Sequence, residues 1–287
     1  MAIVQSIKIR EVWSDNLESE FLLIRSLIDD YSFVAMDTEF PGVLFRQFGS
    51  ESRPKYTSPG KHYSLLKQNV DALKIIQLGL TLVDSKGNLP NLGNPKIGYI
   101  WQFNFKDFDV TTDNQSPDSV ELLRNHGIDF ALNLKSGVDS VKFAELMMSS
   151  GLVCNDNSIT WLTFHCAYDF GYLVKVLTQS QLPSELSVFV KLALEVKRMV
   201  GQSHQAGSDS LLTWVVFERI REIFFKKPGS IDNYAGMLSS CASDLHISIL
   251  CPGTCLMLTV AYLLFSSNNA AGHHSLPALM TSPKLEF

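Results

Sequence analysis

Two acidic residues close an apolar strand in this sequence, and that combination restricts the fold more than any other feature. FVAMDTEF, residues 33–40, opens with four apolar residues, as a strand covered on both faces does, and then sets Asp37 and Glu39 two positions apart. Side chains alternate faces along a strand, so the two carboxylates project from the same side. They repel unless a proton or a cation sits between them. A strand end standing in water also tolerates such a pair, so on its own the motif leaves a solvated end and a cation site both open.

A covered strand needs neighbours. KIIQLGLTLV (74–83) and GYIWQFNF (98–105) read as two more strands, and the turn-rich DSKGNLPNLGNPK between them predicts an antiparallel hairpin. Leu17, Phe21, Ile24, Ile28 and Tyr31 recur at helical spacing before the first strand, with Asp15 and Glu18 as a capping box. Residues 43–70 read as a polar loop broken by Pro54, Pro59 and Gly60. Helices are expected near 118–126 and 139–150, the second stopped by Gly151. ITWLTF (159–164) is a fourth strand running into a helix from Tyr168 to Thr178, and a last helix opens at Asp209. Strands first, then strand–helix alternation, predict an α/β fold with a mixed central sheet flanked by helices.

From about Met237 these signals fade, and LCPGTCLMLTVAYLLF (250–265) is nearly all apolar. Pro252 and Gly253 leave an unbroken stretch of only about ten residues, half of what a membrane helix needs, so no membrane span is expected. Residues 237–287 are read as a divergent apolar tail, buried or disordered. Cys251 and Cys255, with His273 and His274, lack the spacing of a structural zinc site. A net charge of −5 gives no general basic footprint for duplex binding, but does not bear on an enzyme that grips phosphates through metal ions. The five cysteines are odd in number and irregularly spaced, which fits a reduced, intracellular protein. Charges come too early at the N-terminus for a signal peptide.

Further acids turn the strand pair into a constellation. FHCAYDFGYL (164–173) puts Asp169 at the start of a helix just after a strand, where it either caps the helix or joins a site. SHQAGSDSLL (203–212) offers His204 and Asp209 across a small, flexible stretch. Together Asp37, Glu39, Asp169 and Asp209 are enough to hold two divalent cations, Mg or Mn, with His204 to take a proton from water. That is the equipment of metal-dependent phosphodiester hydrolysis. Phe40, Tyr168, Phe170 and Tyr172 lie near the acids in sequence, as stacking platforms for bases or as plain core.

At these residues the chain resembles a known family. FVAMDTEFPG, IIQLGLT with IWQFNF, FAELMMSSG, FHCAYDFGYL and HQAGSDSLLT resemble the Caf/Pop poly(A) ribonucleases, catalytic subunits of the Ccr–Not deadenylase complex within the DEDD exonuclease group. The resemblance runs from about Ile9 to Gly236, so residues 9–236 are expected to form one RNase H-like exonuclease domain. It implies Asp37, Glu39, Asp169 and Asp209 as the metal-binding acids and His204 as the general base. It also implies a 3′-to-5′ exoribonuclease that shortens single-stranded poly(A) tails and releases AMP, partnered by the Not scaffold and a second deadenylase, in cytoplasm and nucleus. The sequence departs from the family in two places. The connection from Asp169 to His204 is short, with the missing part between 180 and 203, and the tail after Gly236 no longer matches. All the catalytic positions survive, but the scaffold that aims His204 and Asp209 is altered, so a catalytically impaired interaction subunit stands as the alternative.

Overall fold

The computed structural model describes residues 6–46, 59–153, 159–164, 167–196, 210, 247–251 and 254–258. In chain order its elements are β1 (Ser6–Val12), α1 (Leu17–Arg25), β2 (Phe33–Glu39), α2 (Pro59–Ala72), β3 (Gln77–Val83), β4 (Ile97–Asn104), α3 (Pro117–Asn125), α4 (Phe130–Ser136), α5 (Ser140–Ser149), β5 (Thr160–Phe164), α6 (Ala167–Thr178), α7 (Leu186–Val196), β6 (Ile247–Cys251) and β7 (Thr254–Leu258). The strands form one mixed sheet in the order β1-β4-β3-β2-β5-β6-β7. β2, β3 and β4 run antiparallel to their neighbours within that trio. β1 joins β4 in parallel, and β5 joins β2 in parallel. β6 and β7 continue the sheet antiparallel beyond β5, drawn from the apolar segment after residue 237.

The sequence explains the centre of the sheet. Every residue of β3 is buried, so both faces of this strand are covered, as its near-continuous apolar composition requires. Phe21 of α1, Phe103 of β4 and Phe143 of α5 meet in edge and tilted contacts with centroids 5.1–5.5 Å apart, tying two helices to one sheet face. Trp101 of β4 is fully buried, and its indole N–H donates to Glu20, which Arg10 grips through two guanidinium nitrogens at 2.7 Å. The buried acid is thereby charge-paired and hydrogen-bonded. α6 lies against β2 with α2, α5 and α7 packed around it.

Two sequence expectations need correction. Pro59 and Gly60 do not break a loop: they open α2, where a first-turn proline loses no hydrogen bond and brings a helical φ. The buried stripe of this helix is Tyr63, Leu66, Asn69 and Val70, and the asparagine in the stripe hides the apolar period. The capping box at Asp15 and Glu18 is absent; α1 begins after Asn16, whose amide instead accepts from the Trp13 N–H and donates to the Glu11 carbonyl. The antiparallel hairpin of β3 and β4 and the helices over 118–126 and 139–150 stand as read, with Gly151 at φ +87° beyond the second. The helix expected from Asp209 lies outside the described residues except for Ser210, which is helical.

Lys175 fixes α6 to the end of α2. Its ammonium donates to the carbonyls of Val70 (2.8 Å), Leu73 (2.7 Å) and Asp71 (3.3 Å), the groups that a helix C-terminus leaves without partners. Lys175→Met keeps the stem packed and removes the donor. It is expected to cost about 1–3 kcal/mol, seen as a lower urea midpoint with an unchanged m-value.

Candidate active site

β2 carries its acids to a place where one of its neighbours gives out. β3 pairs with all of it, setting Asp37 opposite Gly79 and Glu39 opposite Gln77. β5 pairs only with Phe33, Val34 and Ala35. Beyond Ala35, among the described residues, no strand pairs with that edge of β2, and an N–H turned that way needs another acceptor. Asp169 is that acceptor. Its Oδ1 takes a hydrogen bond from the Thr38 N–H at 3.0 Å and a second from the Thr38 hydroxyl at 2.6 Å. Asp169 does not act as an N-cap, the other reading open in the sequence: it sits within the first turn of α6, where the helix dipole favours a carboxylate, and bonds across to β2.

A carboxylate from α6 is therefore bonded to the residue that separates the two acids of β2. Asp37 is half-buried and Glu39 buried, on the face opposite to Thr38. Asp169 is 5% exposed, and burial pushes its carboxyl up to about 7, while hydrogen bonds from Thr38 and the Thr163 side chain oppose that rise by favouring the ionised form. These partners are neutral. A hard divalent cation supplies the positive charge that such a group needs to ionise, and an all-carboxylate donor set suits Mg or Mn. The chemistry of the donors fits the ion. Among the described residues, no three His, Cys, Asp or Glu side chains stand close enough together to hold one. His204 and Asp209 lie outside the described residues. Ser210, next after Asp209, is fully buried, with its hydroxyl 2.6 Å from that of Thr81 on β3.

The segment following the acids is held by residues that the sequence did not single out. Gly42 has φ +88°, and a Cβ there would overlap the side chains of Ser116 and Ser119, so the Phe40-Pro41-Gly42 turn is open only to glycine. Asn69 clamps what comes next: its Oδ1 accepts from the Leu44 and Phe45 N–H groups, both at 2.8 Å, and its amide donates to Phe45 O at 2.9 Å and to the Tyr168 hydroxyl at 3.2 Å. A buried asparagine on an otherwise apolar helix face was the available signal. Phe170 and Tyr172 are core, and Phe40 stacks on Tyr168 (5.2 Å, 19°) and packs on Tyr172 (4.8 Å). These rings occupy one another.

Comparison with known proteins gives one consistent result. The model of the CAF1 family ribonucleases matches residues 12–158. The chain is 48% identical over 262 residues to the probable CCR4-associated factor 1 homolog 7 of Arabidopsis thaliana, covering 81% of this chain and 93% of the relative. That alignment is longer than 81% of 287 residues can fill, so the relative carries residues within it that this chain lacks. The poly(A) ribonuclease pop2 of Schizosaccharomyces pombe is 42% identical over 255 residues, covering 78% of this chain and 72% of pop2. Its structure in a Mg2+- and Mn2+-bound form superposes with a TM-score of 0.69, at 41% identity, over 78% of this chain and 96% of that one. Yeast CAF1, co-crystallised with the NOT1 MIF4G domain, superposes with a TM-score of 0.55 at 34% identity over 79% of this chain and 76% of that one.

Proposed function

Because the chain belongs to the CAF1 family of ribonucleases, with the RNase H-like α/β fold of its solved relatives, we propose that it is a divalent-metal-dependent 3′-to-5′ exoribonuclease that shortens poly(A) tails and releases AMP. The observation that carries this reading is the pair of Thr38 hydrogen bonds to Asp169, which brings a carboxylate from α6 to the residue between Asp37 and Glu39. In this reading Asp37, Glu39, Asp169 and Asp209 hold two Mg2+ or Mn2+ ions. When bound, the ions supply a nucleophilic water at neutral pH and offset charge on the phosphate and the departing 3′-oxygen. His204 would take the proton from the attacking water. β2 keeps two of the carboxylates on one face, and the first turn of α6 delivers the third. Burial keeps bulk water from Asp169, which strengthens its attraction for a cation.

Partnership with the Not scaffold and a second deadenylase, and a place in both cytoplasm and nucleus, belong to the same proposal; yeast CAF1 bound to NOT1 supports the first of these. Purified protein with 5′-labelled poly(A) RNA and Mg2+ tests the activity. Wild type is expected to release AMP and Asp37→Ala to release none above background. No release by wild type, or equal release by the variant, overturns the reading.

A second reading is favoured by the residues that this chain lacks relative to its plant relative. If the shorter connection fails to bring His204 and Asp209 to the strand end, the chain serves as an interaction subunit without turnover. Capture by a purified NOT1 MIF4G domain, together with a silent nuclease assay, selects this alternative. Failed capture eliminates it.

A further inference from the structure

We propose that Thr38 is a positioning residue, setting which oxygen of Asp169 faces a bound cation. The inference rests on the nuclease reading above and adds a role for a residue that is itself no ligand. Thr38 stands between the two acids of β2, but its side chain points to the opposite face of the strand from theirs. It is 5% exposed, and a hydroxyl is costly to bury there unless it is bonded. Valine fits the same strand position without that cost, so the hydroxyl needs an explanation. The bond to Asp169 at 2.6 Å supplies one, and it converges with the backbone N–H at 3.0 Å on a single oxygen, Oδ1.

Two donors on one carboxylate oxygen do more than one. A single donor lets the carboxylate swing about the bond, whereas a backbone and a side-chain donor from the same residue, beside the Thr163 side chain, restrict that motion. They occupy the two lone pairs of Oδ1, which favours Oδ2 as the oxygen offered to a cation, while the Thr163 side chain also bonds this carboxyl. Hydrogen bonds of this kind to a metal-binding carboxylate orient it before the metal arrives. The backbone donor is present whatever residue stands at 38. The hydroxyl is the part that the sequence specifies.

Titration calorimetry of the full chain with MnCl2 alone tests this, comparing wild type, Thr38→Val, Thr38→Ser and Asp169→Asn, with circular dichroism melts to establish folding. Thr38→Val is expected to bind Mn2+ about 10–100-fold more weakly than wild type, the effect typical of a lost orienting partner. Thr38→Ser keeps the hydroxyl and is expected to stay within about 3-fold of wild type, a residual set by its looser rotamer. On poly(A), Thr38→Val is expected to lower kcat and leave KM for RNA unchanged. Should Thr38→Val fail to melt cooperatively, Thr38→Ala is measured in its place. Mn2+ affinity in the hydroxyl-free variant equal to wild type, or loss in Thr38→Ser as large as in Thr38→Val, overturns the positioning role and leaves the nuclease reading standing. Absence of Mn2+ binding by wild type, or wild-type binding by Asp169→Asn, overturns the nuclease reading itself.

Discussion

Asp169→Asn is expected to cut AMP release by at least about 10³-fold and, in the same protein freed of metal, to raise stability at pH 8. The two effects have one cause. Burial lifts the Asp169 carboxyl from an ordinary 3.8 to about 7 in the folded chain. Between those values the folded chain holds a proton that the unfolded chain has released. Stability therefore falls as pH rises from about 4 towards 7, and the full penalty remains above 7. Asparagine carries no charge at any of these pH values, and its carbonyl oxygen still accepts from Thr38. The difference at pH 8 is on the order of 2–4 kcal/mol in favour of the variant, and it disappears near pH 4. Adding Mn2+ reverses the order, because only the wild type then gains binding free energy. Urea unfolding at pH 4 and pH 8, with a chelator and then with Mn2+, reads all of this. A variant that is less stable at pH 8 without metal, or that keeps its activity, shows that Asp169 is a structural acid.

The acids of β2 were legible because their neighbourhood is local. Four apolar residues define the strand, alternation defines the face, and both signals lie within eight positions. Asp169 at a strand–helix junction was legible for the same reason. Their meeting was not: the hydrogen bonds from Thr38 join residues 131 positions apart, and a threonine between two acids looks like a spacer until the β2–β5 ladder is seen to stop at Ala35. α2 is hidden in the sequence because Asn69 occupies a buried place that the apolar pattern reserves for a hydrophobe. Yet Asn69 is what clamps the chain leaving the acids. β1 carries only a weak local signal, Ile7 and Ile9 alternating with Lys8 and Arg10, since a parallel edge strand is completed only by β4, some ninety residues on. The apolar tail showed no regular period, but β6 and β7 lie either side of Pro252 and Gly253 and add to β5. The breakers that shortened the apolar run separate two strands of a hairpin.

Thr81→Val is expected to lower AMP release by about 10²-fold with little change in RNA binding, by loosening the segment that carries Asp209. The Thr81 and Ser210 hydroxyls are 2.6 Å apart, both fully buried, and join β3 to a residue 129 positions away. Thr81 lies opposite Ala35 on β2, and Gly79 of the same strand lies opposite Asp37, so this bond ties the chain beside Asp209 to the sheet that bears the other acids. Removing one hydroxyl takes a partner from the other in a dry environment, at a cost of about 1–2 kcal/mol. A shift of about 1 Å at a catalytic carboxylate is enough to cost two orders of magnitude in rate. Ser210→Ala is expected to act likewise. In Thr81→Val/Ser210→Ala neither hydroxyl remains, so the double variant is expected to lose less stability than the two single losses combined and to be no slower than either single variant, in which the bond is already gone. A four-member cycle of urea midpoints and initial rates measures the coupling. Rates unchanged in both single variants, despite lowered midpoints, would show that the Thr81–Ser210 bond supports the fold without placing Asp209. Coupling in both readouts would show that the Thr81–Ser210 bond helps to place the neighbouring Asp209.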